Sequence, residues 1–410
     1  MKVLHITYSS KGGAGIAAKR LHHALTENGI SSAYISTNLT IDFNNKHIKD
    51  NFFDYHKLNI VNRIIRKIKF LFFLSRKQKI DNKIKSFSNE NNFEIISSPY
   101  SKFKIEKHPL FLEADIINLH WVSGIIDYTS FFKKCKKPIV WTLHDMNPFM
   151  GIFHYENDAL NNSKEIEDFN LKIKKIQKEN INYIKRGAIV SPSQWLLETA
   201  NKSGFFSNLK MKKITNSINL DVFCIKNKED IRNEFSINNN EFVILFVAED
   251  IRNFRKGFDL LINAINLIDS KTITIVTIGK DDIKVNDNIR VISLGRIYDE
   301  HKIAEIYNLS DVFVLPSRED NLPNVILECF ATGTPLLGFK IGGIQEHILK
   351  DKTGLLVNNI NPVSLSESIL EIIDKKSTFD NTKIREYAKT NFSFQKQYTE
   401  YYSLYNELLD

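Results

Sequence analysis

Short apolar runs recur along the chain, each closed by glycine, proline or a small polar cluster. They alternate with stretches whose apolar positions fall three and four residues apart. The first run is 2–8, with Val3, Leu4 and Ile6. A glycine loop at 9–15 follows, then a helical pattern with Ala17, Leu21, Ala24 and Leu25 on one face, ended by Gly29. Runs at 115–122 and 138–144 predict two buried strands, polar 156–180 predicts a helical excursion, and 188–193, 194–202 and 213–218 predict a strand, a helix and a strand. After a polar crossing at 226–240 the alternation resumes with strand 241–248, helix 259–268, and strands 272–278, 289–294 and 312–315. A helix ending at Gly333, strands 336–339 and 354–357, and helices near 362–375, 383–391 and 394–409 complete the chain. Continuous apolar runs are what strands covered on both faces by helices require, so the pattern predicts an α/β chain with parallel sheets. Such sheets bind ligands at the loops beyond the carboxyl ends of their strands.

The densest candidate chemistry lies in 311–346. Strand 312–315 stops at Pro316 and Ser317, a polar loop runs over 318–321, and the helix that follows carries Glu328, eight residues after Asp320. One carboxylate sits on the loop and the other inside the helix, so the two can hold different ends of one ligand. The unpaired N–H groups of the helix amino-terminus between them suit an anion such as a phosphate. Strand 336–339 and a turn at Gly342 and Gly343 close the unit.

Composition narrows the class. At 410 residues the chain exceeds what one core usually serves, and 42% hydrophobic with 25% charged residues is a globular balance. The expected domains are 1–220, with 394–410 packing back on it, and 221–393. No run of eighteen apolar residues predicts a transmembrane helix, the start reads as a strand rather than a signal peptide, and Cys135, Cys224 and Cys329 have no metal-ligand spacing. A cytoplasmic location is expected. The net charge of +8 and pI near 9.0 call for an anionic partner, with phospholipid, nucleotide sugar and nucleic acid all qualifying on charge alone. The cations concentrate at 59–85, where nine Lys or Arg face one acid, Asp81, and Ile60, Ile64, Ile68, Leu71 and Phe72 fall at helical spacing. That segment reads either as a basic amphipathic helix lying on the inner face of the cytoplasmic membrane through 60–85, or as a helix covering the first sheet with a solvated basic face. Without stacking aromatics on a sheet, nucleic acid is not expected as a partner.

Other candidates follow the same strand-end logic. The loop with Gly12, Gly13 and Gly15 opens a helix, an arrangement that brings backbone N–H groups to a diphosphate or simply makes a tight turn. His120 and His144 each close an apolar strand, where a polar side chain either reaches a ligand crevice or serves structure. Arg255 and Lys256 precede Gly257 at a helix start, with Arg252 nearby, and such paired cations suit a diphosphate. No Asp-x-Asp occurs, so no metal site of that type is expected.

Pro316, Ser317, Asp320, Asn321, Leu322, Pro323, Glu328 and the Gly333-Thr334-Pro335 string together resemble the signature of family 4 glycosyltransferases, the retaining group with the GT-B fold. The resemblance implies two Rossmann-like parallel-sheet domains facing across a cleft, with a C-terminal helix crossing back to the first, where Tyr398, Tyr401, Tyr402 and Tyr405 supply the contact. It departs in having Asp320 where Glu is usual, Ser217 in place of the linker glycine, and Ala248, Glu249 and Asp250 where an Arg commonly follows the strand. The run Trp141 to Met146 also resembles relatives that continue into a cysteine-rich loop, which 150–155 lacks. The resemblance further implies a nucleoside diphosphate sugar as co-substrate, UDP- or GDP-linked, with no cofactor and no metal. Glu328 would hold the ribose, Asp320 with the N–H groups of Asn321 and Leu322 the sugar, Arg255 and Lys256 the diphosphate, and Arg296 would lie by the base. Gly12 and Gly13 would approach the phosphates, and His144, with His120 as companion, the sugar. The Asp-Asn-Leu-Pro loop resembles a subgroup from bacterial surface-polysaccharide clusters, including colanic-acid-type transferases, which implies a lipid-linked or oligosaccharide acceptor. A nucleotide-sugar epimerase of the same fold and a non-catalytic polysaccharide-assembly partner are the competing readings.

Overall fold

The computed structural model describes residues 1–53, 76–268, 273–280 and 289–410. Over these residues the chain forms two units. The first comprises Met1–Pro192, Leu196–Ile214 and Glu400–Asp410, and the second Ser193–Trp195 and Thr215–Thr399.

The first unit is built on β1 (Lys2–Ile6), β2 (Ser31–Ile35), β3 (Thr40–Ile41), β4 (His47–Ile48), β5 (Ile116–Leu119), β6 (Ile139–Thr142), β7 (Gly187–Ser191) and β8 (Lys210–Lys213). Their order across the sheet is β4-β3-β2-β1-β5-β6-β7-β8, parallel except for the antiparallel edge made by β3 and β4. The chain winds outward from β1 and then returns to its other side at β5, so the winding reverses between these two strands, where open α/β sheets form a crevice. Helix α1 (Gly12–Glu27) buries Ala17, Ala18, Leu21, Ala24 and Leu25, the face its sequence spacing predicts. Gly15 lets it start close to the preceding loop: a Cβ there would stand 2.2 Å from the Ser9 carbonyl oxygen.

Helix α2 (Arg76–Glu90) and helix α3 (Lys164–Ile181) turn Ile80, Ile84 and Phe87 against Ile152, Phe153, Ile166, Ile173 and Ile176. The basic amphipathic segment expected over 59–85 is therefore described only from residue 76. Its apolar positions Ile60, Ile64, Ile68, Leu71 and Phe72 lie outside the described residues. Within the described part, Lys77 pairs with Asp127 and Lys83 with Glu165. Among the described residues no helix is long and apolar enough to cross a membrane. The carboxyl half of the last helix, Phe394–Leu409, belongs to the first unit, where Asn118 donates to the Tyr405 hydroxyl at 2.6 Å and Thr142 and Tyr401 share a hydrogen bond at 2.9 Å. Tyr401 and Tyr405 are buried, whereas Tyr402 is 39% exposed.

The second unit is wholly parallel. Its strands β9 (Phe242–Asp250), β10 (Ile273–Lys280), β11 (Arg290–Ser293), β12 (Val312–Leu315), β13 (Leu336–Phe339) and β14 (Gly354–Val357) lie in the order β11-β10-β9-β12-β13-β14. Here the winding reverses between β9 and β12. A single core of Val, Ile, Leu and Phe side chains covers both faces. At the amino end of β12, buried Asp311 accepts hydrogen bonds from Lys228 and Arg232 at 2.7 Å and from the Val243 N–H at 2.8 Å, and pairs with Lys376 at 2.9 Å. Burial opposes its charge, but these cations prevail and hold its pKa at about 2. Lys228 shares that one carboxylate with two other cations, so burial outweighs the attraction and lowers it to about 8.

Candidate active site

The strand order of the second unit decides which loops meet. Because β9 lies beside β12, the loop after β9 comes against the loop after β12, although Arg255 and Asp320 are far apart in sequence. Gly257, in the left-handed region at φ +72°, permits this approach, since a Cβ there would stand 1.9 Å from the Pro316 carbonyl oxygen. The Arg318 N–H donates to the Arg255 carbonyl at 2.7 Å, and the Arg318 guanidinium holds both oxygens of Asp259 at the start of helix α4 (Phe258–Ile265). On the other side, Gly342 and Gly343 bring the turn after β13 against the same loop: their Cβ atoms would stand 2.0 Å from the Asp320 oxygen and 2.4 Å from the Asn321 oxygen.

Clamped between these turns, Asp320 gathers cations. Its Oδ2 accepts from Lys256 Nζ at 2.6 Å, lies 3.2 Å from Arg255 Nη1, and is 3.4 Å from the Ser317 hydroxyl; the Asn321 N–H reaches Oδ1 at 3.2 Å. Arg255 also donates to the Glu319 carbonyl at 3.0 Å. Burial alone would push the Asp320 carboxyl up, but Lys256 and Arg255 more than offset it and hold the group ionised below its usual range. The structure thus brings Asp320, Arg255 and the half-buried Lys256 together, with both cations on one carboxylate.

Helix α5 (Asn324–Ala331) carries Glu328 inward from the same loop, where it is 8% exposed and within 3.4 Å of the Tyr307 hydroxyl. Asn321 accepts from the Ser193 hydroxyl at 2.5 Å, and Leu322 is buried beside it. Arg296 stands apart from the cluster: it follows the edge strand β11, is exposed, and its guanidinium is 3.9 Å from Glu249. Arg318 and Tyr307 support the cluster without standing out as a motif in sequence. Their roles come from the fold.

In the first unit, Gly12 (φ +75°) and Gly13 open helix α1, whose preceding residue Lys11 makes no side-chain cap. His120 and His144 do come together, ring nitrogens 3.0 Å apart, and His5 joins from β1 at 3.1 Å. His120 is buried with both nitrogens engaged by these two rings, so it offers neither to a ligand. It lies between His5 and His144. Burial holds His5 and His120 well below the usual imidazole range and His144 at about 4, despite the opposing pull of Asp145. Asp145 itself is fixed by Trp121 at 2.7 Å, by His154 at 2.6 Å and by the Asn147 N–H at 3.0 Å. His5 could have been noticed as the one polar residue inside an apolar strand.

Two parallel-sheet units of this kind define the GT-B fold, shared at a TM-score of 0.63 and 14% identity with the crystal structure of Anabaena Alr3699/HepE in complex with UDP, over 100% of both chains. Residues 241–375, the heart of the second unit, match the family described as Glycosyl transferases group 1. An uncharacterized glycosyltransferase of Methanocaldococcus jannaschii, MJ1178, is 33% identical over 195 residues, 45% of this chain and 52% of that protein. The capsular polysaccharide biosynthesis glycosyltransferase CapM of Staphylococcus aureus is 25% identical over 225 residues, 50% of this chain and 58% of that protein. The chain spans about half the length of these curated relatives. The similarity to that family lies in the second unit.

Proposed function

We propose that the protein is a retaining, metal-independent glycosyltransferase that moves a sugar from a UDP- or GDP-sugar to a lipid-linked or oligosaccharide acceptor in bacterial surface-polysaccharide synthesis. The observation that carries this reading is the Asp320, Arg255 and Lys256 cluster at the winding reversal of the second sheet, with Glu328 reaching in from the next helix. The likeness to CapM supports the polysaccharide setting, and the UDP in the Anabaena structure supports the donor class.

In this reading Arg255 and Lys256 bind the diphosphate and stabilise the charge that develops as it leaves, the role a metal fills elsewhere. Glu328 accepts from the ribose hydroxyls. Asp320 and the N–H groups of Asn321 and Leu322 orient the sugar, with a hydrogen bond from His144. Gly12 and Gly13 approach the phosphates, and Arg296 lies toward the base. The bond from the anomeric carbon to the diphosphate oxygen breaks while the acceptor oxygen bonds on the same face, and the acceptor proton passes to the departing phosphate oxygen. Attachment to the inner membrane face through 60–85 belongs to the same proposal, and sedimentation with anionic vesicles tests it.

A thermal-shift screen of the full chain against UDP, GDP, TDP, CMP and their sugars, with and without EDTA, tests the donor site. One diphosphate class is expected to raise the melting temperature equally in EDTA. A shift that vanishes in EDTA overturns metal independence. Absence of any shift, together with absence of donor turnover, overturns the transferase reading.

A further inference from the structure

His5, His120 and His144 form a hydrogen-bonded row across three neighbouring strands. His5 sits in β1, His120 directly follows β5 and His144 lies just beyond β6, so the row spans the sheet at its winding reversal. His5 Nδ1 lies 3.1 Å from His120 Nε2, and His120 Nδ1 lies 3.0 Å from His144 Nε2. His5 is wholly buried, and among the described residues its Nε2 has no hydrogen-bond partner. His22, the next ring along, does not extend the row, because its nitrogens meet the Ser32 hydroxyl at 2.9 Å and the Asn45 side-chain oxygen at 3.2 Å. Burial keeps all three rings of the row neutral, so each holds a single ring proton.

Proton counting leaves two arrangements. Each nitrogen–nitrogen contact needs one proton, which accounts for two of the three; the last must stand at an end of the row, on His5 Nε2 or on His144 Nδ1. Any mixed arrangement sets two lone pairs against each other or leaves His120 with no proton at all. A proton on His5 Nε2 would strand a buried N–H without an acceptor, at the full cost of desolvating a donor. A proton on His144 Nδ1 instead ends the row on the ring that feels the attraction of the Asp145 carboxylate, which its own partners keep ionised. We propose that His5, acting through His120, fixes the tautomer of His144 with its proton on Nδ1, making His144 an obligatory hydrogen-bond donor there. His5 and His120 are then positioning residues for transfer, a role that rests on the reading of His144 as the sugar contact. In such a row the tautomer of one ring is set by the bond its neighbour makes.

Nitrogen-15 NMR of the full chain labelled at histidine reads ring protonation directly and needs no variant. The expected result near neutral pH is a proton on Nδ1 in His5, His120 and His144. A proton on Nε2 of His144, or unlike tautomers within the row, overturns the proposal. His5→Leu removes the first donor and is expected to release His144 into a mixture of tautomers, lowering kcat about tenfold with donor KM unchanged. His5→Asn keeps an amide donor near the Nδ1 position and is expected to restore both. If kcat falls in His5→Leu while the His144 tautomer stays, the row is overturned and the sugar contact of His144 survives. If the tautomer changes and kcat does not, the positioning role is overturned, and the sugar contact with it.

Discussion

Replacing Asp320 by Asn tests whether the loop after β12 holds the two cations ready for an anion. The carboxylate has Lys256 at 2.6 Å and Arg255 at 3.2 Å, in surroundings where Asp320 and Arg255 are 8% and 9% exposed. At an effective dielectric of about 20, each contact is worth roughly 5–6 kcal/mol of bare attraction, most of it spent on desolvation. Removing one partner of a buried pair costs about 3–5 kcal/mol; asparagine keeps an acceptor, so about 2–4 kcal/mol is expected. For a domain of about 150–250 residues this lowers the melting temperature by roughly 5–15 °C. A nucleoside diphosphate returns the missing negative charge. The variant should therefore gain more from saturating diphosphate than the wild type does, while sugar transfer falls about 100-fold because the sugar is no longer held. Differential scanning with and without the diphosphate, beside a transfer assay, measures all three quantities. An unchanged ligand-free melting temperature, or a smaller diphosphate gain in the variant, would refute the account of the cluster.

Three further outcomes are expected. Glu328→Gln keeps the fold but removes a buried charged acceptor; titration calorimetry should show diphosphate affinity reduced about 10- to 100-fold, a hydrogen bond to a charged group being worth about 1.5–3 kcal/mol. Gly342→Ala sets a Cβ where the Asp320 carbonyl stands 2.0 Å away, at φ +46°, so the loop must shift; diphosphate binding should weaken at least about tenfold, while an exposed control such as Gly29→Ala, with open space around its Cβ, leaves it unchanged. Asp311 carries a depressed pKa of about 2, so the stability it contributes is present above its unfolded value and is lost as pH falls from about 4 toward 2, an effect of about 2 kcal/mol. Urea melts should show this part of the acid loss missing in Asp311→Asn, together with a penalty of about 3–5 kcal/mol at neutral pH from three cations left without their carboxylate.

Local pattern alone located much of the secondary structure. Strands 312–315, 336–339 and 354–357 and helices 194–202 and 394–409 emerge where their apolar spacing places them, because a strand buried on both faces must be apolar throughout and a half-buried helix must repeat near every third or fourth residue. Edge elements escaped it. The buried β3 and the exposed β4 are two residues each and too short to carry a run, and the expected strand at 213–218 ends at Lys213 in the structure, where the chain crosses between units. The loop of Asp320 and the helix of Glu328 were legible because their spacing is local. Tertiary structure alone decided their partners: β9 beside β12 sets Arg255 and Lys256 against Asp320, and β1, β5 and β6 side by side align His5, His120 and His144. Strand order is fixed by which crossovers pack, a property of the whole sheet that no short window contains, so the residues were visible in the sequence and their electrostatic partnership was not.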